Sequence, residues 1–115
     1  MNQHPLLIKG VEEFNKREFF EAHETLEDYW NTLSGDEKEL VQSIIQAAVA
    51  YYHFGRGNLV GARKLLTRAI ARAESVDSNT LNINVCSYLE KIRISLRDVE
   101  NEGKSIELAS ITFST

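Results

Sequence analysis

The chain has 115 residues, of which 17 are acidic and 13 basic, and the formal net charge of −4 argues against broad electrostatic binding to nucleic acid or anionic membranes. The single cysteine, Cys86, excludes an internal disulfide, and no apolar run predicts a membrane span or a secretory signal. A single proline and 43% hydrophobic residues favour one all-α domain, expected in the cytoplasm or, after removal of a transit peptide, in the plastid stroma.

Two amphipathic helices are predicted at the start of the chain. Pro5 suits the first position of a helix, and the apolar residues that follow it predict α1 from Pro5 to near Asn15 and Lys16. A corner at Asn15, Lys16 and Arg17 leads into α2, predicted from about Glu18 to Leu33. The two helices therefore form a first hairpin.

A second hairpin follows. Ser34 and Glu37 have the spacing of a capping box, which predicts α3 from Ser34 to about Phe54. Apolar residues cover most of the circumference of α3, so we expect it to be the central helix. Asn58 is a good N-cap for α4, predicted over Leu59–Ser75.

The last helix, α5, is predicted to begin between Thr80 and Val85 and to end near Gly103. The expected domain therefore spans residues 1–103. The tail, residues 104–115, has apolar residues without helical period and is expected to be extended or disordered.

An internal repeat appears when the chain is shifted by 40 residues. Seven positions from Phe14 to Trp30 then match like residues from Phe54 to Ile70, including Ala22 with Ala62. A small residue at that point of each second helix allows close packing of a neighbouring helix, as in tetratricopeptide-type stacking. We therefore predict a compact bundle of about five helices, formed by two antiparallel hairpins and a C-terminal helix.

Polar residues interrupt the apolar face of α2. His23 and Glu27 are four residues apart within that face, so their side chains are neighbours on a surface expected to be buried. Counting outward from the turn near Gly35 places His23 level with Gln46 of the antiparallel α3. This pattern predicts a polar pocket between α2 and α3, with these candidate lining residues: His23, Glu24, Glu27, Trp30, Gln42, Gln46 and His53.

The chemistry of this pocket has several interpretations. His23 and Glu27 are candidate ligands of a divalent metal, but zinc takes three or four ligands and these residues supply two. His53 lies about 9 Å from the level of His23, at 1.5 Å per residue, so it is a poor third ligand. The alternative is that His23 and Glu27 satisfy each other, as buried polar groups must. No cofactor is predicted, and neither a nucleophile motif nor a phosphate-binding loop is present.

Charge is sorted by helix. Acidic residues gather on α1 and α2, whereas a basic face is expected on α4 and the corner before it, formed by Arg56, Arg63, Lys64, Arg68 and Arg72. Such faces are usually solvated. They also favour pairing between protomers or with a partner protein, since complementary charge guides association.

The segments Phe14–Trp30, FNKREFFEAHETLEDYW, and Gln42–Leu66, QSIIQAAVAYYHFGRGNLVGARKLL, resemble domain of unknown function family 309, small all-α proteins of bacteria, archaea and plastids. Arg17 stands where that family is expected to prefer glycine. The resemblance implies a helical bundle and brings no activity with it.

Three functions remain open on the sequence alone. The favoured one is a non-enzymatic interaction or scaffold domain, associating with a protein partner or with itself, whose polar cluster is structural. The alternatives are a metal-dependent hydrolase and a small-ligand binding module, both using the pocket at His23 and Glu27.

Overall fold

The computed structural model describes residues 3–101 and 104–114, and in these ranges it is all-α, as predicted. The described part contains five α-helices and a short 3₁₀ turn: α1 Pro5–Asn15, α2 Phe19–Trp30, α3 Gly35–Gly55, α4 Leu59–Glu74, the turn Thr80–Asn82, and α5 Val85–Glu100. None of the described helices is both long enough and apolar enough to cross a membrane. The predicted end of α5 near Gly103 lies outside the described residues.

The third helix is the centre of the bundle, which confirms the interpretation of its apolar circumference. Ten of its residues are buried, and it packs against α2 on one side and α4 on the other. The remaining extensive contacts join α1 to α2 and α4 to α5, so each helix packs mainly on its neighbour in the chain. Consecutive antiparallel helices around α3 therefore bring α2 and α4 into parallel orientation.

The connection between α2 and α3 differs from the prediction. Helix α2 ends at Trp30 instead of Leu33. The amides of Thr32 and Leu33 donate to the carbonyls three residues earlier, those of Tyr29 and Trp30, and not to the carbonyls four residues earlier. Ser34 occupies the N-cap position of α3, but its side chain makes no capping hydrogen bond, so the capping box is not formed. Gly35, with a φ of +62°, turns the chain into the helix instead.

The repeat of 40 residues is visible in the backbone of the two corners. Arg17 and Gly57 both have positive φ, at 69° and 80°. The amide of Glu18 donates to the Glu13 carbonyl at 2.9 Å, and the amide of Asn58 donates to the His53 carbonyl at 2.8 Å. These are the six-to-one bonds of a Schellman motif. The two hairpins therefore turn by the same device, although only the second has glycine at the left-handed position.

The tail adopts an extended conformation and contributes to the core. Ala109 and Ile111 are buried, and Phe113 forms an isolated antiparallel bridge with Ile83. The tail crosses the bundle from α5 towards the end of α1, where Asn15 makes two hydrogen bonds with Ile111. It is thus part of the packed structure.

Two buried tyrosines connect α3 to α5 and the tail by hydrogen bonds. Ser43 donates to the Ala69 carbonyl and lies 3.0 Å from the Tyr88 hydroxyl oxygen. The Tyr51 hydroxyl oxygen lies 2.7 Å from the Ser95 hydroxyl oxygen and accepts a bond from the Ala109 amide. Burial raises the pKa of both phenols above the usual value near 10.

These raised pKa values predict a loss of stability in strong alkali. Below about pH 10 the tyrosines are neutral in both states, whereas above it the unfolded chain ionises first, so the free energy of unfolding falls as pH rises. In Tyr88→Phe we expect a shallower fall, by up to about 1.4 kcal/mol per pH unit. Urea denaturation between pH 8 and 12 measures how the free energy of unfolding changes with pH in the unchanged chain and in Tyr88→Phe. Equal slopes in the two proteins would contradict a raised pKa of Tyr88. Those pH limits are about two units either side of the ordinary phenol pKa.

Close packing of α1 on α2 depends on Gly10. A Cβ at this position would lie 2.4 Å from Cδ2 of the buried Leu26. We expect Gly10→Ala to destabilise the fold by about 1–3 kcal/mol, the usual cost of overpacking a core. Gly55→Ala is the matched control, because nothing lies within 4 Å of its added Cβ. Equal thermal stability of the two variants would refute the close approach.

Candidate functional site

A cleft of about 380 Å³ lies over α3 between α2 and α4. It contains five of the seven predicted pocket residues: His23, Glu27, Trp30, Gln42 and Gln46. Ile45 and Val49 of α3, Asn31 directly after α2, and Leu65 of α4 complete it. The level count along the antiparallel helices therefore placed His23 and Gln46 in the same cleft.

His23 and Glu27 form the polar pair on the α2 side of this cleft. Nε2 of His23 lies 3.0 Å from Oε2 of Glu27. The exposed fractions of the two side chains are 32% and 58%, so His23 is half-buried and Glu27 lies at the rim. Exposed pairs four residues apart on a helix contribute about 0.3–0.5 kcal/mol. The pair therefore contributes little to the stability of the fold, and its imidazole is accessible to solvent.

Trp30 covers one end of the cleft. The ammonium group of Lys38 lies 4.3 Å from the centroid of its ring, at cation–π distance. Its indole Nε1 is buried and has no hydrogen-bond partner among the described residues. Trp30 therefore has a buried donor without a partner in the described part of the chain and a ring whose face is already occupied by Lys38.

Gln46 belongs to a hydrogen-bond network that joins α3 to α4. Nε of Arg72 donates to Oε1 of Gln46 at 3.1 Å, and Nη1 of Arg72 donates to both carboxylate oxygens of Glu39 at 2.8 and 3.0 Å. Glu39 was not among the predicted site residues. Glu39 lies seven residues before Gln46, about two helical turns away on the same side of α3. This spacing could have indicated from the sequence that the two residues share a face.

Two predicted pocket residues lie elsewhere. Glu24 is exposed and does not line the cleft. His53 lines a separate cleft of about 180 Å³ together with His23 and four apolar or aromatic residues, Phe19, Phe20, Val49 and Tyr52. The displacement of His53 along α3, expected from the residue count, thus places it in a neighbouring cleft that His23 also borders.

The predicted basic face divides into two groups. Arg63, Lys64 and Arg68 are exposed and make no side-chain hydrogen bond or ion pair with any described residue. Arg72 instead bridges α4 to α3, and Arg56 stacks on Tyr52, with its Cζ 5.7 Å from the ring centroid. Three cations therefore remain available for a partner.

The described residues do not contain a group of three His, Cys, Asp or Glu side chains that could hold a metal ion. His23 and Glu27 remain two ligands without a third in residues 3–101 and 104–114. The arrangement therefore does not support metal-assisted hydrolysis at this cleft.

A family model described as "Domain of unknown function (DUF309)" matches residues 7–65. This match covers about half of the chain, from the first turn of α1 into the first half of α4, and contains the cleft residues. The chain belongs to this family. The resemblance seen in the sequence motifs is thereby confirmed, and the family description brings no activity.

Two relatives are themselves uncharacterised proteins. One, from Aquifex aeolicus (strain VF5), is 29% identical over 91 residues, which is 76% of this chain and 27% of that protein. The other, the uncharacterized protein YpuF of Bacillus subtilis (strain 168), is 41% identical over 61 residues, which is 52% of this chain and 35% of that protein. The matched region is thus about a third or less of each relative.

The network of Arg72 predicts a difference between two neighbouring arginines. Arg72→Met leaves the buried Gln46 oxygen without its donor, and we expect it to destabilise the fold by about 1 kcal/mol, since the Glu39 pair is partly exposed. Arg68→Met, one turn earlier and exposed, should change stability by less than about 0.5 kcal/mol. Urea denaturation of both variants measures the difference, and equal effects would exclude a structural role for the network.

Proposed function

We propose that this domain is a non-enzymatic scaffold that pairs with a second copy of itself through the face formed by α2, α3 and α4. The supporting observation is the opposite charge of the two edges of that face. Glu24 and Glu27 are exposed on α2, whereas Lys64 and Arg68 are exposed on α4. The pairing chemistry is therefore acid against base.

Symmetry makes such a face complementary to itself. A two-fold axis parallel to α3 exchanges the two sides of the face and preserves the level along the helices. The acidic edge of one copy then lies against the basic edge of the other, at two equivalent places. Glu24 and Lys64 occupy equivalent positions of the 40-residue repeat, so we expect them to form the central pair of each contact.

Exposed apolar residues lie on the same helices. Phe20, Tyr52 and Val60 have exposed fractions of 52%, 40% and 58%. Phe20 and Val60 occupy equivalent positions of the repeat, on α2 and α4. In the two-fold arrangement Phe20 of each copy meets Val60 of the other, which removes apolar surface from water.

The small-ligand alternative rests on the unpartnered Nε1 of Trp30 alone. A single donor does not define the chemistry of a ligand, and His23, the reactive group nearest to it in the sequence motif, is engaged by Glu27. The charge pattern is more specific than this single donor, because it supplies both the acidic and the basic residues of a contact. Self-pairing is therefore the better supported function.

Charge exchange between two variants tests this proposal. Lys64→Glu and Glu24→Lys each place like charges at both contacts of a homodimer, so we expect each variant to be monomeric where the unchanged chain is dimeric. In an equimolar mixture, the two glutamates of one chain face the two lysines of the other, and a heterodimer should form. Sedimentation equilibrium at low salt measures all three samples.

The control is Glu90→Lys, which changes an exposed acid on α5, outside the proposed face. It should leave the dimer intact while changing the net charge by the same amount as Glu24→Lys. A monomeric unchanged chain at every concentration, or a mixture that stays monomeric, would refute pairing through this face.

A further inference from the structure

The tail lies in a groove between the end of α1, the end of α3, α5 and the loop before α5. Its residues alternate in burial from 109 to 112: Ala109 and Ile111 are buried, whereas Ser110 is half-buried and Thr112 is exposed; Phe113 is half-buried. This period of two is that of an extended strand with one face on the protein. The groove thus holds an extended segment by alternate side chains.

The groove contacts the tail mainly through the tail's backbone. Oδ1 of Asn15 accepts from the Ile111 amide at 2.8 Å, and Nδ2 of Asn15 donates to the Ile111 carbonyl at 2.9 Å. Nη1 of Arg17 donates to the Ala109 carbonyl at 2.7 Å, and the Tyr51 hydroxyl accepts from the Ala109 amide at 3.0 Å. Both backbone groups of two alternate residues are therefore satisfied by side chains of the helical part.

Further bonds continue along the tail in both directions. The Ser95 hydroxyl donates to the Glu107 carbonyl, and the Asn84 amide donates to the Thr112 carbonyl at 2.8 Å. The Ser114 amide donates to the Asn82 carbonyl at 2.6 Å. Recognition of backbone groups is common to any extended peptide, and the alternate pockets supply the selectivity.

The tail leaves part of the groove open. A cleft of about 490 Å³ borders Ile106 and Leu108 of the tail and is lined by an aromatic cluster, Phe19, Phe20, Tyr51, Tyr52 and Phe54, together with residues of the corners. The rings of Phe19 and Tyr51 lie 5.1 Å apart at its base. A segment with a larger apolar side chain at the position of Ile106 would bury surface that the tail does not reach.

The polar groups of the groove are positioned by the helical part. Arg17 and Asn15 lie at the α1–α2 corner, which is closed by the backbone bond from Glu18 to Glu13. Tyr51 is held within α3, and Ser95 within α5. These elements satisfy their own backbone hydrogen bonds, so the groove has its donors and acceptors in place for another occupant.

We propose that this groove is a binding site for an extended segment of a partner protein, and that the tail is its resident occupant. The segment has a small residue, a branched aliphatic residue and an aromatic residue at alternate positions, as Ala109, Ile111 and Phe113 are. A large apolar residue three positions before the small one fills the open cleft. The site is distinct from the charged edges used for self-pairing, although Phe20 borders both.

The test uses the full chain with a weakened tail. In Ile111→Asp the tail carries a charge into a buried position, so the groove is vacated. A fluorescent peptide with the sequence of residues 104–115 should bind this variant at least tenfold more tightly than it binds the unchanged chain. The same peptide carrying Ile111→Asp should not bind. Fluorescence anisotropy measures each affinity.

A groove variant separates backbone recognition from simple apolar contact. Asn15→Asp, combined with Ile111→Asp, loses the amide donor to the peptide, and we expect peptide affinity to fall about tenfold, equivalent to about 1.4 kcal/mol. Asn31→Asp is the matched control, since Asn31 lines the other cleft. Equal affinities in the two combinations would overturn the assignment of Asn15 as a peptide-binding residue.

The predicted preference for a large apolar residue in the open cleft is tested with a changed peptide. A peptide with Ile106→Trp should bind several-fold more tightly than the tail peptide, and weaker binding would overturn the predicted preference. If Ile111→Asp does not fold, by circular dichroism, the milder Phe113→Ser replaces it with the same expectations. Failure of the peptide to bind the folded variant would refute the site. In the Lys64→Glu background, which cannot pair through the charged edges, a heterodimer between chains with and without Ile111→Asp, detected by native mass spectrometry, would assign the groove to a second copy instead.

Discussion

Burial of α3 on nearly all sides is the constraint on which the rest of the structure depends. An apolar helix without a solvent face needs neighbours around its whole circumference. Helices α2 and α4 cover one part, and α1, α5 and the tail cover others through Phe14, Tyr88 and Ala109. The fully buried Ala47, Ala48 and Ala50 allow these neighbours to approach closely. The proposed self-pairing face therefore lies where this cover is incomplete.

The helices were predictable because their determinants are local. Pro5 begins α1, and Oδ1 of Asn58 accepts from the Gly61 amide, as expected for an N-cap. The network of Arg72 was not predictable in the same way, since Glu39 lies 33 residues earlier in the chain. Its formation depends on the rotation of α4 about α3, which no local pattern specifies.

The sequence also could not specify how the tail is bound. An extended segment has no hydrogen bonds of its own, so its conformation depends on partners distant in sequence. Those partners are Asn15, Tyr51 and Ser95, and each is an ordinary polar residue when viewed on its own helix. Only the fold brings the three side chains to one groove.

The corner at Arg17 shows how one residue joins these features. A positive φ at a non-glycine residue costs roughly 1–2 kcal/mol, and the equivalent corner of the repeat avoids that cost with Gly57. Arg17 has a compensation that glycine lacks, because its guanidinium donates to the Ala109 carbonyl at 2.7 Å. A charged donor contributes about 1.5–3 kcal/mol to a hydrogen bond, which offsets the backbone strain. Arg17 therefore joins the strained corner between α1 and α2 to the bound tail.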